Sequence, residues 1–124
     1  MGSVYIRPVD TPRGDQTTAG RFAISRWGGP TQSKITTTTV GTTATRIILN
    51  NPRRVRLLIM NFGTSDITVG FDSSVTTTTG IKVVASTGYM ESNANDDGEE
   101  VLTEFWAISS AAGNNVIISE VFRV

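Results

Sequence analysis

The chain has 124 residues, with eleven Lys and Arg balanced by eleven Asp and Glu, and it contains neither cysteine nor histidine. This length fits a single domain. The missing thiols and imidazoles exclude disulfides, thiolate chemistry, triads built on a histidine base, and zinc sites of nitrogen and sulfur ligands, so any metal site would need oxygen donors.

Charge is balanced overall but divided along the chain. Met1 to Arg56 holds nine basic residues against two acidic ones, a net +7, and Leu57 to Val124 holds two against nine, a net −7. Such asymmetry marks either a tail that binds an acidic partner or an arm that lies on the acidic body of its own or a neighbouring chain. No stretch is long and apolar enough to cross a bilayer, and the N-terminus lacks the apolar segment of a signal peptide. A cytoplasmic site of synthesis is therefore expected, with no membrane partner.

Residues 1–33 contain three of the four prolines and five glycines, with few large apolar side chains and no sustained period. This composition predicts an extended N-terminal arm, ordered where a partner covers it, ahead of a β domain over residues 34–124. Short extended pieces are expected at Val4 to Arg7 and at Arg21 to Trp27, where Phe22, Ile24 and Arg26 alternate with Ala23, Ser25 and Trp27. The Thr-rich tract Lys34 to Asn50 favours strand over helix, and Gly41 divides it into two short strands, about Lys34 to Val40 and Thr43 to Leu49.

Arg53 to Asp72 carries the strongest pattern. Val55, Leu57 and Ile59 alternate with Arg54, Arg56, Leu58 and Met60; Asn61 to Asp66 is rich in turn formers; Ile67, Val69 and Phe71 alternate again. This reads as an antiparallel hairpin with one face in a core, while Leu58 and Met60 on the other face need cover from a second sheet or a neighbouring chain. Further strands are expected at Ile81 to Ala85, Tyr89 to Glu91, Val101 to Ile108 and Val116 to Val124, with Asn93 to Glu100 as an exposed loop and Ser109 to Asn115 as a reversal. Seven or eight short strands without a helix predict an all-β fold, a β-sandwich or small barrel.

Catalysis has little to work with here. Acidic pairs among Asp66, Asp72, Asp96, Asp97, Glu99, Glu100 and Glu104 formally allow glycosidase chemistry, but most sit where loops need solubility. The acidic loop Asn95 to Glu100 departs from the spacing of a calcium-binding loop. No enzymatic activity and no cofactor are expected. Nucleic acid is not expected as a partner either, because Lys is scarce and no base-stacking motif is present. Arginine and aromatic residues also anchor protein interfaces. The candidate interface residues are therefore Tyr5, Arg7, Arg13, Arg21, Arg26 and Trp27 in the arm, with Arg53, Arg54 and Arg56 in the domain.

The segment RVRLLIMNFGTSDITVGFDSSVTTTTGIKV, followed after a loop by EFWAISSAAGNNVIISEV, resembles small β-domain virion proteins of tailed bacteriophages. The matching pieces are R-x-x-L-x-I-x-N-x-G at Arg54 to Gly63, I-x-V-G-x-D at Ile67 to Asp72, V-T-x-x-x-G-I at Val75 to Ile81, and the pair from Trp106 to Val116. The likeness spans about Asn50 to Val124. It implies a structural role in the virion: a capsid decoration, or cement, protein made in the host cytoplasm. Such a protein would bind the major capsid protein and identical neighbouring chains, as a homotrimer stapled by its arm. Two other roles stay open, a head-tail joining or tail component, and a receptor- or glycan-binding module in which Trp106 and Tyr89 would share a concave site.

Overall fold

The computed structural model describes residues 29–124; the arm reading and its candidates Tyr5, Arg7, Arg13, Arg21, Arg26 and Trp27 lie outside the described residues. Eight strands follow in order: β1 (Thr31–Val40), β2 (Thr45–Ile48), β3 (Arg54–Asn61), β4 (Ile67–Gly70), β5 (Ile81–Val83), β6 (Tyr89–Asn93), β7 (Phe105–Ser109) and β8 (Asn114–Arg123). A short 3-10 turn, Gly98–Leu102, occupies part of the span expected as the beginning of a strand at Val101. The expected boundary at residue 34 falls inside β1, because Thr31, Gln32 and Ser33 already pair with Arg123, Phe122 and Val121 of β8.

The strands form two four-stranded antiparallel sheets, ordered β1-β8-β3-β6 and β2-β7-β4-β5. The fold is an all-β sandwich. Only the β4–β5 connection stays within one sheet; the others described here pass between sheets. That strand order is the double Greek key of a jelly roll.

Alternation explains what fills the space between the sheets. Val40, Leu57, Ile59, Val116 and Ile118 point inward from one sheet, and Ile47, Ile67, Val69, Val83, Phe105 and Ala107 from the other. Val101, carried by the 3-10 turn, closes one part of this core.

The hairpin expected over Arg53 to Asp72 is not formed. β3 pairs with β8 and β6, whereas β4 pairs with β7 and β5, so Phe62 to Asp66 is an arch from one sheet to the other. The reversal expected at Ser109 to Asn115 likewise carries the chain from β7 in one sheet across to β8 in the other. Turn-forming residues permit either path, and buried amides select the arch. The Asn61 side chain donates to the carbonyls of Ser65 (2.9 Å) and Val83 (3.0 Å), and its oxygen accepts from Gly63 N–H and from the Asn114 amide. Asn114 in turn accepts from Ser65 N–H (3.0 Å). Gly63 is obligatory in this arrangement, since a Cβ there would fall on the Asn114 amide.

Candidate functional site: the outer faces and the arginines

The two outer faces differ. Over the β2-β7-β4-β5 sheet the segment 71–80 folds back: Val75 is buried and rests on Gly70, and Thr68 donates to the Thr77 carbonyl. All four residues of β4 are therefore buried, although only two of them face the core. A side chain at Gly70 would collide with Val75, so the close approach of this cover requires glycine. At its start, the Asp72 carboxyl accepts from the hydroxyl and N–H of Ser74, which holds it below the usual carboxylate range.

The outer face of the β1-β8-β3-β6 sheet has no such cover among the described residues. Register places Thr37, Ile117, Met60 and Tyr89 in one cross-strand row, and Ile35, Ser119, Leu58 and Glu91 in the next. Ile35 and Tyr89, on the two edge strands, are 71% and 67% exposed, and Phe62 just beyond β3 is 58% exposed. Leu58, Met60, Ile117 and Val121 are half-buried between them. The cover that Leu58 and Met60 need is not the second sheet, which lies against the opposite face. Ile117, Met60, Leu58 and Tyr89 adjoin one another on this outer face, with Thr37, Ser119 and Glu91 among them, and exposed apolar side chains grouped in this way make it the candidate interaction surface.

The three candidate arginines of the domain have three different fates. Arg53 is exposed. Arg56 is half-buried and forms a surface ion pair with Glu91 at 2.7 Å. Arg54, expected as an interface residue, is 1% exposed and pairs with Glu120 at 2.8 Å inside the sandwich. Its guanidinium also donates to the carbonyls of Leu49, Val101 and Thr103, so every edge of the fork is used internally. The cause is a register shift against β8 between Arg54 and Arg56, a bulge that turns Arg54 inward although simple alternation would place it outside. Arg54 thus ties β3 to β8, to the 3-10 turn and to the β2–β3 connection, with its guanidinium inside the sandwich and not on its surface.

The aromatic pair considered for a glycan site is separated. Trp106, on β7, donates its indole N–H to Glu104 at 2.7 Å and faces outward from one sheet, while Tyr89, on β6, lies on the outer face of the other. The acidic loop binds itself: Asp97 accepts from Asn93 N–H, Asp96 from the Asn93 amide and Glu100 from the Ser92 hydroxyl. Among the described residues no three acidic side chains gather where a metal ion would be held, and no helix is long and apolar enough to cross a membrane.

No family model matches the chain, and no curated protein does. Among solved structures, it is similar to a chain of the Bacillus endospore appendages, described as a family of disulfide-linked pili, at 13% identity over 77% of this chain and 88% of that one, with a TM-score of 0.46. It is also similar to the SPBc2 prophage-derived protein YomS, at 12% identity over 73% of this chain and 94% of that one, with a TM-score of 0.41.

Proposed function

We propose that this chain is a non-enzymatic structural protein of a virion. It decorates the outside of a capsid, binding the major capsid protein through the outer face of the β1-β8-β3-β6 sheet. Identical chains associate as a homotrimer, with the residues ahead of β1 reaching the neighbours. The observation that carries the reading is that apolar face, with Ile35 and Tyr89 largely exposed at its margins and Leu58, Met60 and Ile117 between them. Burying it would exclude water from a continuous surface without altering the sandwich core. The motif likeness from Asn50 to Val124 supports the same assignment. A closed ring is the usual way for identical subunits to saturate such contacts. A glycan site shared by Tyr89 and Trp106 is not favoured, because the two occupy opposite outer faces.

Co-sedimentation with empty capsid shells tests this. The unaltered protein is expected to pellet in proportion to the shell subunits. Tyr89→Asp, which places a charge at the exposed margin of the contact beside Met60, is expected to stay in the supernatant while its stability changes by no more than about 0.5 kcal/mol. Saturation at a few copies per particle would instead indicate a neck or tail component. Undiminished binding of Tyr89→Asp would remove the face from the contact.

A further inference from the structure

Three surface features converge on one margin of the sandwich. First, β1 is a ten-residue edge strand paired over its whole length with β8, in a register without a shift, and no other strand pairs with its opposite flank among the described residues. The other edge strands are short: β2 has four residues and a register shift, β5 has three and β6 five. Edge strands are normally protected by proline, bulges or charge; β1 has no proline and a single charged residue, Lys34.

Second, an open cleft of about 510 Å³ lies beneath this edge, where Lys34 and Thr36 of β1 look across at Ile48, Leu49 and Asn50. Third, apolar side chains are left uncovered above and below the edge: Ile35 is 71% exposed and Leu49, at the cleft, is 60% exposed. A free backbone ladder with exposed apolar side chains on both of its sides is an acceptor for an added strand.

We propose that residues 21–27 of a neighbouring copy add as a further strand along the free edge of β1. This deepens, and rests on, the reading that the residues ahead of β1 join identical chains. The segment Arg21-Phe22-Ala23-Ile24-Ser25-Arg26-Trp27 alternates in the strand period, contains no proline, and is short enough to fit within the ten residues of β1. In a strand, Phe22, Ile24 and Arg26 share one face and Arg21, Ala23, Ser25 and Trp27 the other. With Phe22 and Ile24 turned to the cleft they cover Leu49 and Ile48, and the opposite face then joins Ile35 on the outer surface. Backbone bonds along β1 supply affinity, and the two apolar residues in the cleft set the register.

The donor comes from another copy because the link into β1 opposes a tight return. A two-residue hairpin over Gly28 and Gly29 needs an N–H at residue 30, and Pro30 has none; its carbonyl is already bonded to Val124 N–H on the β8 side.

The absence of native cysteine makes a direct test clean. Full-length chains carrying Ser25→Cys are mixed with differently tagged chains carrying Ser33→Cys, Ile35→Cys or Thr37→Cys, all on the outer side of β1, and oxidised; Lys82→Cys on the β5 edge serves as control. A disulfide needs Cβ atoms within about 4.5 Å. A mixed-tag disulfide at one of the three β1 positions, and none at Lys82→Cys, is expected. Crosslinking that favours Lys82→Cys, or a Ser25→Cys/Ile35→Cys double variant that closes within a single chain at high dilution, overturns the proposal. The absence of any β1 crosslink in a protein that remains oligomeric removes this placement alone. A protein that is monomeric both in solution and on shells removes the arm-joining reading with it.

Discussion

Arg54→Met is expected to lower the stability of the sandwich by about 4 kcal/mol, because the substitution leaves the largely buried Glu120 carboxylate without its guanidinium partner. The Glu120 side chain is 11% exposed, at the cleft beside β1, and the Arg54 side chain 0%, so water reaches one side of the carboxylate but not the side that Arg54 occupies. At about 4–8 °C per kcal/mol for a domain of this size, the melting temperature should fall by about 20 °C or more. The Arg56–Glu91 pair is the internal control. It is shorter, at 2.7 Å against 2.8 Å, but both side chains are about one-third exposed. Arg56→Met should therefore cost less than about 1 kcal/mol. Burial, not distance, decides between the two pairs.

Replacing both partners, Arg54→Met with Glu120→Leu, should recover part of the loss by removing the stranded charge. It should not recover all of it, since the carbonyls of Leu49, Val101 and Thr103 lose their donor. Chemical denaturation of the unaltered protein, Arg54→Met, Glu120→Leu and the double variant measures the coupling. A loss below about 1 kcal/mol for Arg54→Met would mean that the pair is solvated after all. A charge reversal at Arg53 and Arg54 together is accordingly expected to act first on folding, through Arg54, and not on association.

Asn61→Ala should be the second severe lesion, at about 3 kcal/mol, by the summed cost of buried polar groups left without partners. One amide serves four groups: the Ser65 and Val83 carbonyls, Gly63 N–H and the Asn114 side chain. Both Asn61 and Asn114 are at most 2% exposed, so water does not substitute. The lesion should also have a location. Amide hydrogen exchange is expected to accelerate at Gly63, Ser65 and neighbouring positions of the arch before it rises in the centre of β8. Uniform acceleration throughout the sheets would show that Asn61 adds only general packing. Gly63→Ala should disturb the same arch from the other side, by displacing the Asn114 amide and with it the bond to Ser65 N–H.

These two sites also show where the sequence was legible. The existence of the strands was readable, because Leu57, Ile59, Val116, Ile118, Phe105 and Ala107 alternate and all end in the core. Their pairing was not. Asn-Phe-Gly-Thr-Ser-Asp is as suited to a hairpin as to an arch, and what separates the two is the bonding of Asn61 to Val83 and Asn114, 22 and 53 residues away.

Arg54 was misplaced for a related reason, since alternation carries no sign of a bulge. A signal was nonetheless present in β8, where Glu120 occupies the inward row begun by Val116 and Ile118. A charge in an apolar row requires a buried partner of opposite sign. The apolar outer face is partly legible, because Leu58 and Met60 lie on the side of β3 away from Leu57 and Ile59 and need cover. Its extension to Ile35, Ile117 and Tyr89 depends on the order β1-β8-β3-β6, which is a matter of long-range pairing.

A cryo-EM reconstruction of decorated particles is the most direct test of the role assigned here. The expected map has the sandwich outside the shell with the β1-β8-β3-β6 face turned toward a protein neighbour and Met60, Tyr89 and Ile117 buried in that contact. A map in which this face looks into solvent, or in which the chain is absent from the shell surface, would contradict it.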